Sequence, residues 1–262
     1  MRLVDSHAHL NHPDYHPELD AVLARAAEAG VTAILVPGYD LESSRQAVAL
    51  AARDHAGAPA LYAAVGIHPH DAEMCDDAAL AVLRELLAHP RVVAVGETGL
   101  DYYRDRSPRE KQQAALRAHL SLARETDKPI ILHNRDADAD LLRLLRAEGL
   151  PAAGGVLHCF SGDAALAEEA LALRLMVSAA GQVTFKNAAP LRQALVTVPH
   201  DRLLIETDSP YLAPVPHRGR RNEPAWVAEV ARGLAAVHGT TPEALAAATT
   251  ENAGRLFGIR TG

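Results

Sequence analysis

A short apolar or β-branched run, a loop and then a longer amphipathic stretch recur eight times along this chain, and that repetition limits the fold more than any single motif does. The runs are RLVDSHAH from Arg2, VTAILVPG from Val31, LYAAVGIHP from Leu61, RVVAVGETG from Arg91, KPIILHNR from Lys128, GGVLHCFSG from Gly154, LMVSAAG from Leu175 and RLLIETDSP from Arg202. Their length and composition predict strands. Between them lie stretches such as HPELDAVLARAAEAG, DLESSRQAVALAARDH, DAALAVLRELLAH and PREKQQAALRAHLSLARET, several opened by Asp, Ser or Pro and some closed by Gly, which predict helices. The seventh connection, KNAAPLRQALVTV, is short, and two further helical patterns follow the eighth run. Strands that alternate with helices pair in parallel through right-handed crossovers. Eight such units in 262 residues predict an α/β protein with a closed (β/α)8 TIM barrel, a single domain over residues 1–262. An open doubly wound sheet is the alternative, weakened by the lack of a G-x-G-x-x-G turn after the first run.

Composition narrows the function classes. Hydrophobic residues make up 48% and charged residues 23%, an ordinary globular balance. No basic segment leads into an apolar stretch at the N-terminus, and no run approaches membrane-spanning length, so a cytoplasmic protein with no membrane partner is expected. Cys75 and Cys159 are far apart and match no zinc-finger spacing, so free thiols are expected. Net charge is −7, from 26 Lys+Arg against 33 Asp+Glu, which argues against nucleic-acid binding by a broad basic face. Any polyanion must be gripped locally.

The chain has 14 histidines, and several stand at the ends of the apolar runs. His7 and His9 end the first run, His68 the third, Glu97 the fourth, His133 the fifth, His158 the sixth and Asp208 the eighth. In a parallel barrel the carboxyl ends form the catalytic face. Residues two apart on a strand share a side, so alternation predicts that His7 and His9 both face the axis, with Asp5 one step deeper and Glu206 below Asp208. Burying such groups without partners costs about 2–7 kcal/mol each, and a metal site removes that cost. Mixed imidazole and carboxylate donors suit zinc, manganese, nickel, cobalt or iron(II). Six candidates exceed what one tetrahedral zinc with an open position requires. Two ions use them economically, with Glu97 as the bridge, His7, His9 and Asp208 on one side, and His133 and His158 on the other. A two-metal site activates water and clamps both the attacking and leaving oxygens of a phosphodiester.

The motifs DSHAHL, GIHPH, GETGLDYY, HNRDA, HCFSG, ETDSPYLAP and RGRRNEP occur in this order between Val4 and Phe257. Together they resemble the TatD family of metal-dependent deoxyribonucleases in the amidohydrolase superfamily. HAH alone is a superfamily signal, whereas GETGLDYY, HCFSG and ETDSPY are far more specific. The resemblance implies a (β/α)8 barrel, two divalent metal ions (zinc, manganese, magnesium, nickel or cobalt), and hydrolysis of DNA phosphodiesters as a 3′ to 5′ exonuclease on single strands. It makes His7, His9, Glu97, His133, His158 and Asp208 the metal ligands, the same six that the strand ends supply. Glu97 and Asp208 are then catalytic, with Asp208 both a ligand and a proton acceptor.

The remaining candidates are single residues. His68 is expected to contact a substrate phosphate or support a ligand, and His70 to be structural or exposed. Tyr102 and Tyr103 either stack on a base or fill the loop core. Arg135 is expected on phosphate, Asp136 as the cap of the next helix, and Cys159 pointing away from the site into the strand-helix layer. The basic stretch His217 to Glu223 follows a ligand-bearing run, and Arg221 is its candidate phosphate contact. Glu206 either orients a ligand imidazole or makes an ion pair. A monomer acting on single-stranded DNA is the expected assembly and partner. The rival readings are a superfamily barrel that hydrolyses an ester or amide such as a D-aminoacyl-tRNA, and, last, a non-catalytic binder of metal or nucleic acid.

Overall fold

The computed structural model describes residues 1–53 and 55–260. Eight strands lie side by side in chain order, each parallel to the next: β1 Leu3–Asp5, β2 Val31–Pro37, β3 Ala60–Val65, β4 Val92–Asp101, β5 Ile130–Arg135, β6 Gly155–Leu157, β7 Met176–Ala179 and β8 Leu203–Ile205. The helices between them are α1 Leu19–Glu28, α2 Leu41–Ala51, α3 Asp77–Leu87, α4 Arg109–Thr126, α5 Asp138–Glu148, α6 Ala164–Ala172 and α7 Ala189–Leu195, with α8 Val227–His238 and α9 Pro242–Phe257 after β8. The barrel and the single unit anticipated from the eight repeats are both present. The short seventh connection does contain a helix, α7.

Closure between β8 and β1 is made just beyond the regular strands. The Ser6 N–H donates to the Ile205 carbonyl at 3.1 Å, the Asp208 N–H to the His7 carbonyl at 2.9 Å and the His9 N–H to the Ser209 carbonyl at 2.8 Å. Ala8 and Ser209 form the parallel bridge. The segments that close the barrel are therefore the ones that present His7, His9 and Asp208.

Two apolar clusters fill the fold. One takes a residue or two from every strand, including Val4, Leu35, Ala94, Ile131, Val156, Met176 and Leu204, together with Ala253, Leu256 and Phe257 of α9. That is the barrel interior, plugged from its amino end by α9. The other joins the outward strand faces to the helices, for example Ile34 and Val95 to Leu83, Leu116 and Leu120. Helix starts follow local chemistry: Asp40 caps α2 by accepting from the Ser43 N–H at 2.7 Å, and the Ser43 hydroxyl accepts the Asp40 N–H in return.

Strict alternation breaks at two places that matter for the site. On β1, Val4 faces the interior and the Ser6 hydroxyl lies 3.2 Å from that of Ser178, so Asp5 is on the other side, held by the Thr207 hydroxyl at 2.6 Å. The expectation that Asp5 shares a side with His7 is therefore incorrect. The chain bends at Ser6, after the strand has ended, and the bend rather than a regular pleat aims both imidazoles inward. On β4, the register against β5 shifts between Val95 and Thr98, so Glu97 faces inward only three positions after Ala94. Gly99, at φ 147°, makes the close approach possible, since a Cβ there would lie 1.9 Å from the His133 carbonyl oxygen.

Candidate metal centre

Seven side chains from six strand ends converge at the carboxyl rim. Glu97 lies at their centre, and its two oxygens face different groups. Oε2 is 3.3 Å from His7 Nε2 and 3.9 Å from His9 Nε2. Oε1 is 2.9 Å from His158 Nε2, 3.1 Å from His133 Nδ1 and 3.3 Å from His68 Nε2. Asp208 completes the first group, with Oδ1 3.4 Å from His9 Nε2 and 3.9 Å from His7 Nε2. Three overlapping sets of potential ligands result: His7 with Glu97 and His158, His7 with His9 and Asp208, and His68 with Glu97 and His133.

Hydrogen-bond chemistry indicates whether a cation fits there. Glu206, almost fully buried, accepts from His158 Nδ1 at 3.2 Å and from the Cys159 N–H at 2.7 Å. Asp101 accepts from His133 Nε2 at 3.3 Å. Each of these imidazoles thus places its far nitrogen on a carboxylate and turns its other nitrogen toward Glu97. His133 Nδ1 and His158 Nε2 are 3.4 Å apart, and His7 Nε2 and His9 Nε2 are 3.3 Å apart. In their neutral forms these inward nitrogens face Glu97 and one another as acceptors, an arrangement that a cation between them satisfies. The spacings equal the edges of a ligand shell with bonds of about 2.1 Å, which are roughly 3–3.4 Å long. The donor set therefore fits divalent metal.

Carboxylates and imidazoles act strongly on one another here: burial alone would lower His133 and His158, but Asp101 and Glu97 push His133 up, and Glu97 and Glu206 push His158 well up. Burial alone would raise the Glu97 carboxyl, but the facing His158, His68 and His133 imidazoles hold it well below the usual carboxylate range. Burial would likewise raise Asp208, and His9 and His7 keep it low. His7 is pushed down by burial and by His158, and burial pushes His68 down to about 4. The site thus holds anionic carboxylates, and at His7 and His68 it favours neutral imidazoles, the forms in which both groups bind metal.

Some expectations are corrected here. Cys159 does not point into the strand-helix layer. Its φ of 46° takes it out of extended geometry, and its thiol lies 3.7 Å from Asp208 Oδ2 and accepts from Gln182 Nε2 at 3.1 Å. Asp136 does not cap α5, because it sits at φ 54° and Ala137 occupies the cap position with no side-chain bond. The first turn is instead approached by Asn134, which donates to Asp138. His70 is structural in part, donating to Asp101 at 2.8 Å.

Around the rim, Tyr102 and Tyr103 differ. The Tyr102 hydroxyl donates to Asp140 and accepts from Gln113, both at 2.8 Å, and Arg109 covers its ring. Tyr103 is 57% exposed, with the Arg135 guanidinium 4.0 Å from its ring centroid. The basic stretch after β8 divides in two. Arg221 is committed to the α1 region, donating to the Asp14 carbonyl and to Glu18. Asn222 ties the loop to Thr207 and Tyr211, and Glu223 pairs with Arg25. Arg218 and Arg220 remain exposed over the Phe185 and Trp226 rings. Two contributors escaped sequence reasoning. Asp101 was legible as a position four residues past Glu97 on the same strand. His119, which accepts the Ile67 N–H at 3.0 Å from within α4, carried no signal.

The fold and this donor set define the class: a (β/α)8 metal-dependent hydrolase. The model of the family described as TatD related DNase matches residues 4–258, and the chain belongs to that family. A relative in Bacillus subtilis (strain 168), named as the uncharacterized metal-dependent hydrolase YabD, is 44% identical over 257 residues, covering 98% of this chain and 99% of that one. A 3'-5' ssDNA/RNA exonuclease TatD of Musicola paradisiaca (strain Ech703) is 38% identical over 263 residues, covering 97% of each. The crystal structure of YJJV, a TatD homolog from Escherichia coli K12, superposes with a TM-score of 0.92 at 34% identity over 99% of both chains. Among the described residues no helix is long and apolar enough to cross a membrane.

Proposed function

We propose that the protein is a two-metal phosphodiesterase that removes nucleotides from the 3′ end of single-stranded DNA. The observation that carries this reading is the division of labour at Glu97: one oxygen faces His7 and His9, the other His133 and His158. A carboxylate so placed would bridge two ions, with His7, His9 and Asp208 completing one shell and His133 and His158 the other. When bound, the ions supply Lewis acidity and water activation.

The protein's own groups account for the rest. Asp208 is the more open of the two central carboxylates, its side chain 13% exposed against 4% for Glu97, which suits a proton acceptor at the mouth of the site. Glu206 orients His158 through Nδ1. His68 faces Glu97 Oε1 from the edge of the second group and is placed to meet a phosphoryl oxygen or a ligand. Tyr103, with Arg135 on its ring, offers a stacking surface for a base, while the engaged hydroxyl of Tyr102 supports the loop beneath it. Arg135, Arg218 and Arg220 would take backbone phosphates, and Arg221 would act by anchoring the β8 loop to α1.

The test is an assay on end-labelled single- and double-stranded DNA and RNA, with the protein first stripped by chelator and then given Mg²⁺, Mn²⁺ or Zn²⁺. Stepwise shortening of single-stranded DNA from the 3′ end, absent after stripping and restored by a divalent ion, is the expected result. No cleavage with any ion, or release of D-amino acid from charged tRNA without nucleotide release, would overturn it.

A further inference from the structure

Asp101 is 1% exposed, lies at the end of β4 and is bonded on every side. Its Oδ1 accepts the backbone N–H groups of Tyr103 at 3.1 Å and Arg104 at 2.7 Å. Its Oδ2 accepts from two imidazoles, His70 Nε2 at 2.8 Å and His133 Nε2 at 3.3 Å. Its backbone N–H donates to Gln112 Oε1 at 2.8 Å, and the Gln112 amide in turn reaches the Ser107 carbonyl, so the main chain that carries the carboxylate is pinned as well. Two distinct structures thus meet on one side chain. One oxygen holds the turn that exposes Tyr103, and the other holds the imidazole that faces Glu97 through Nδ1.

We propose that Asp101 is a positioning residue for the second ion: it holds His133 in the tautomer with hydrogen on Nε2 and the lone pair of Nδ1 turned into the site. His70 shares the same oxygen and braces the carboxylate against the His68 segment, where its own N–H donates to His68 Nδ1 at 3.1 Å. The effect is local to one ion. His7, His9 and Asp208 make no contact with Asp101, and His158 is oriented by Glu206 instead. The same carboxylate also sets the Tyr103 turn, so ligand geometry on the second ion and the stacking surface at the rim are fixed together. The inference rests on the two-ion reading of the site.

Asp101→Asn separates the two roles, because the amide oxygen can still accept from the Tyr103 and Arg104 N–H groups while the NH2 cannot accept from His133 or His70. Mn²⁺ titration of stripped protein by calorimetry is the measurement. The wild type is expected to take up two ions, and D101N to bind the second about 10–100-fold more weakly with the first unchanged, the loss usual when an orienting partner is removed. Two ions bound by the wild type and bound equally well by D101N would overturn this inference alone, as would equal weakening of both. A wild type that takes up fewer than two ions would overturn the two-ion reading and this inference with it. If D101N does not fold, nitrogen NMR of histidine-labelled wild type in the Zn²⁺-loaded form decides. Hydrogen on His133 Nε2 is expected, and hydrogen on Nδ1 would overturn the proposal.

Discussion

At the scale of single residues, Glu97 shows how burial and chemistry are reconciled. A carboxylate 3% exposed is tolerable because five imidazole nitrogens approach it, and protons or a cation held among them supply the compensating positive charge. Glu97→Gln should lower metal-dependent turnover by more than roughly 100-fold, because losing an orienting partner alone costs about 10–100-fold and Glu97 faces both groups directly. Steady-state rates on single-stranded DNA across a Mn²⁺ series check this. His119 belongs to stability rather than catalysis. Burial pushes its imidazole down to about 4, so the folded protein keeps it neutral while the unfolded chain protonates near 6.5. Its contribution is intact above about pH 6.5 and is lost as pH falls toward 4, by up to roughly 3 kcal/mol. Urea denaturation at pH 7 and pH 4.5 should therefore show a smaller acid loss for His119→Gln than for the wild type.

At the scale of elements, β4 sets the site. Its register shift brings Glu97 inward, and the lack of a Cβ at Gly99 allows its approach to β5. Gly99→Ala should destabilise by at least about 2–3 kcal/mol, since backbone stands where the methyl would go and the φ is unfavourable for any L side chain. Chemical denaturation measures it, and a fully stable G99A would show that β5 can shift aside. This strand also marks the limit of reading by alternation. Counting inward from Ala94 in twos selects Gly96 and Thr98, not Glu97, and counting from Val4 selects Ser6 rather than His7. Glu97 and His7 stand out in the sequence because residue type at a strand end is informative even where the pleat is broken. Asp5 and Cys159 depart from the alternation because the pleat does not continue through the bend at Ser6 or through the left-handed Cys159.

At the scale of the whole molecule, the proposed DNA substrate would be held by a chain of net charge −7, with few cations to hold it. Arg135 stands at the end of β5, and Arg218 and Arg220 in the loop after β8, on strands well separated around the barrel, so a single strand crossing the rim would meet both. Each phosphate neutralised on single-stranded nucleic acid contributes about 0.7 to the slope of log affinity against log salt. Replacing Arg218 and Arg220 together by alanine should reduce that slope by about 1–1.5, and Arg221→Ala should change it less. Anisotropy of a labelled, hydrolysis-resistant strand over a salt series measures both, and an unchanged slope in the double variant would remove these arginines from the binding path.

The sequence by itself determined the barrel and the donor types. Eight apolar runs with helical patterns between them call for a parallel sheet buried on both faces, whose strand number and chain length suit a closed barrel, and histidines and acids at the carboxyl ends of those runs meet at one rim whatever the details of the loops. Only the tertiary structure decided which nitrogen of each imidazole faces inward. It also decided that Asp101 and Glu206 hold the far nitrogens of His133 and His158, and that Arg221 is committed to α1 while Arg218 and Arg220 stay exposed. The physical reason is range. Burial periodicity is a local property of the chain, whereas a hydrogen bond between residues such as Asp101 and His133, 32 positions apart, depends on bends and register that no nearest-neighbour pattern encodes.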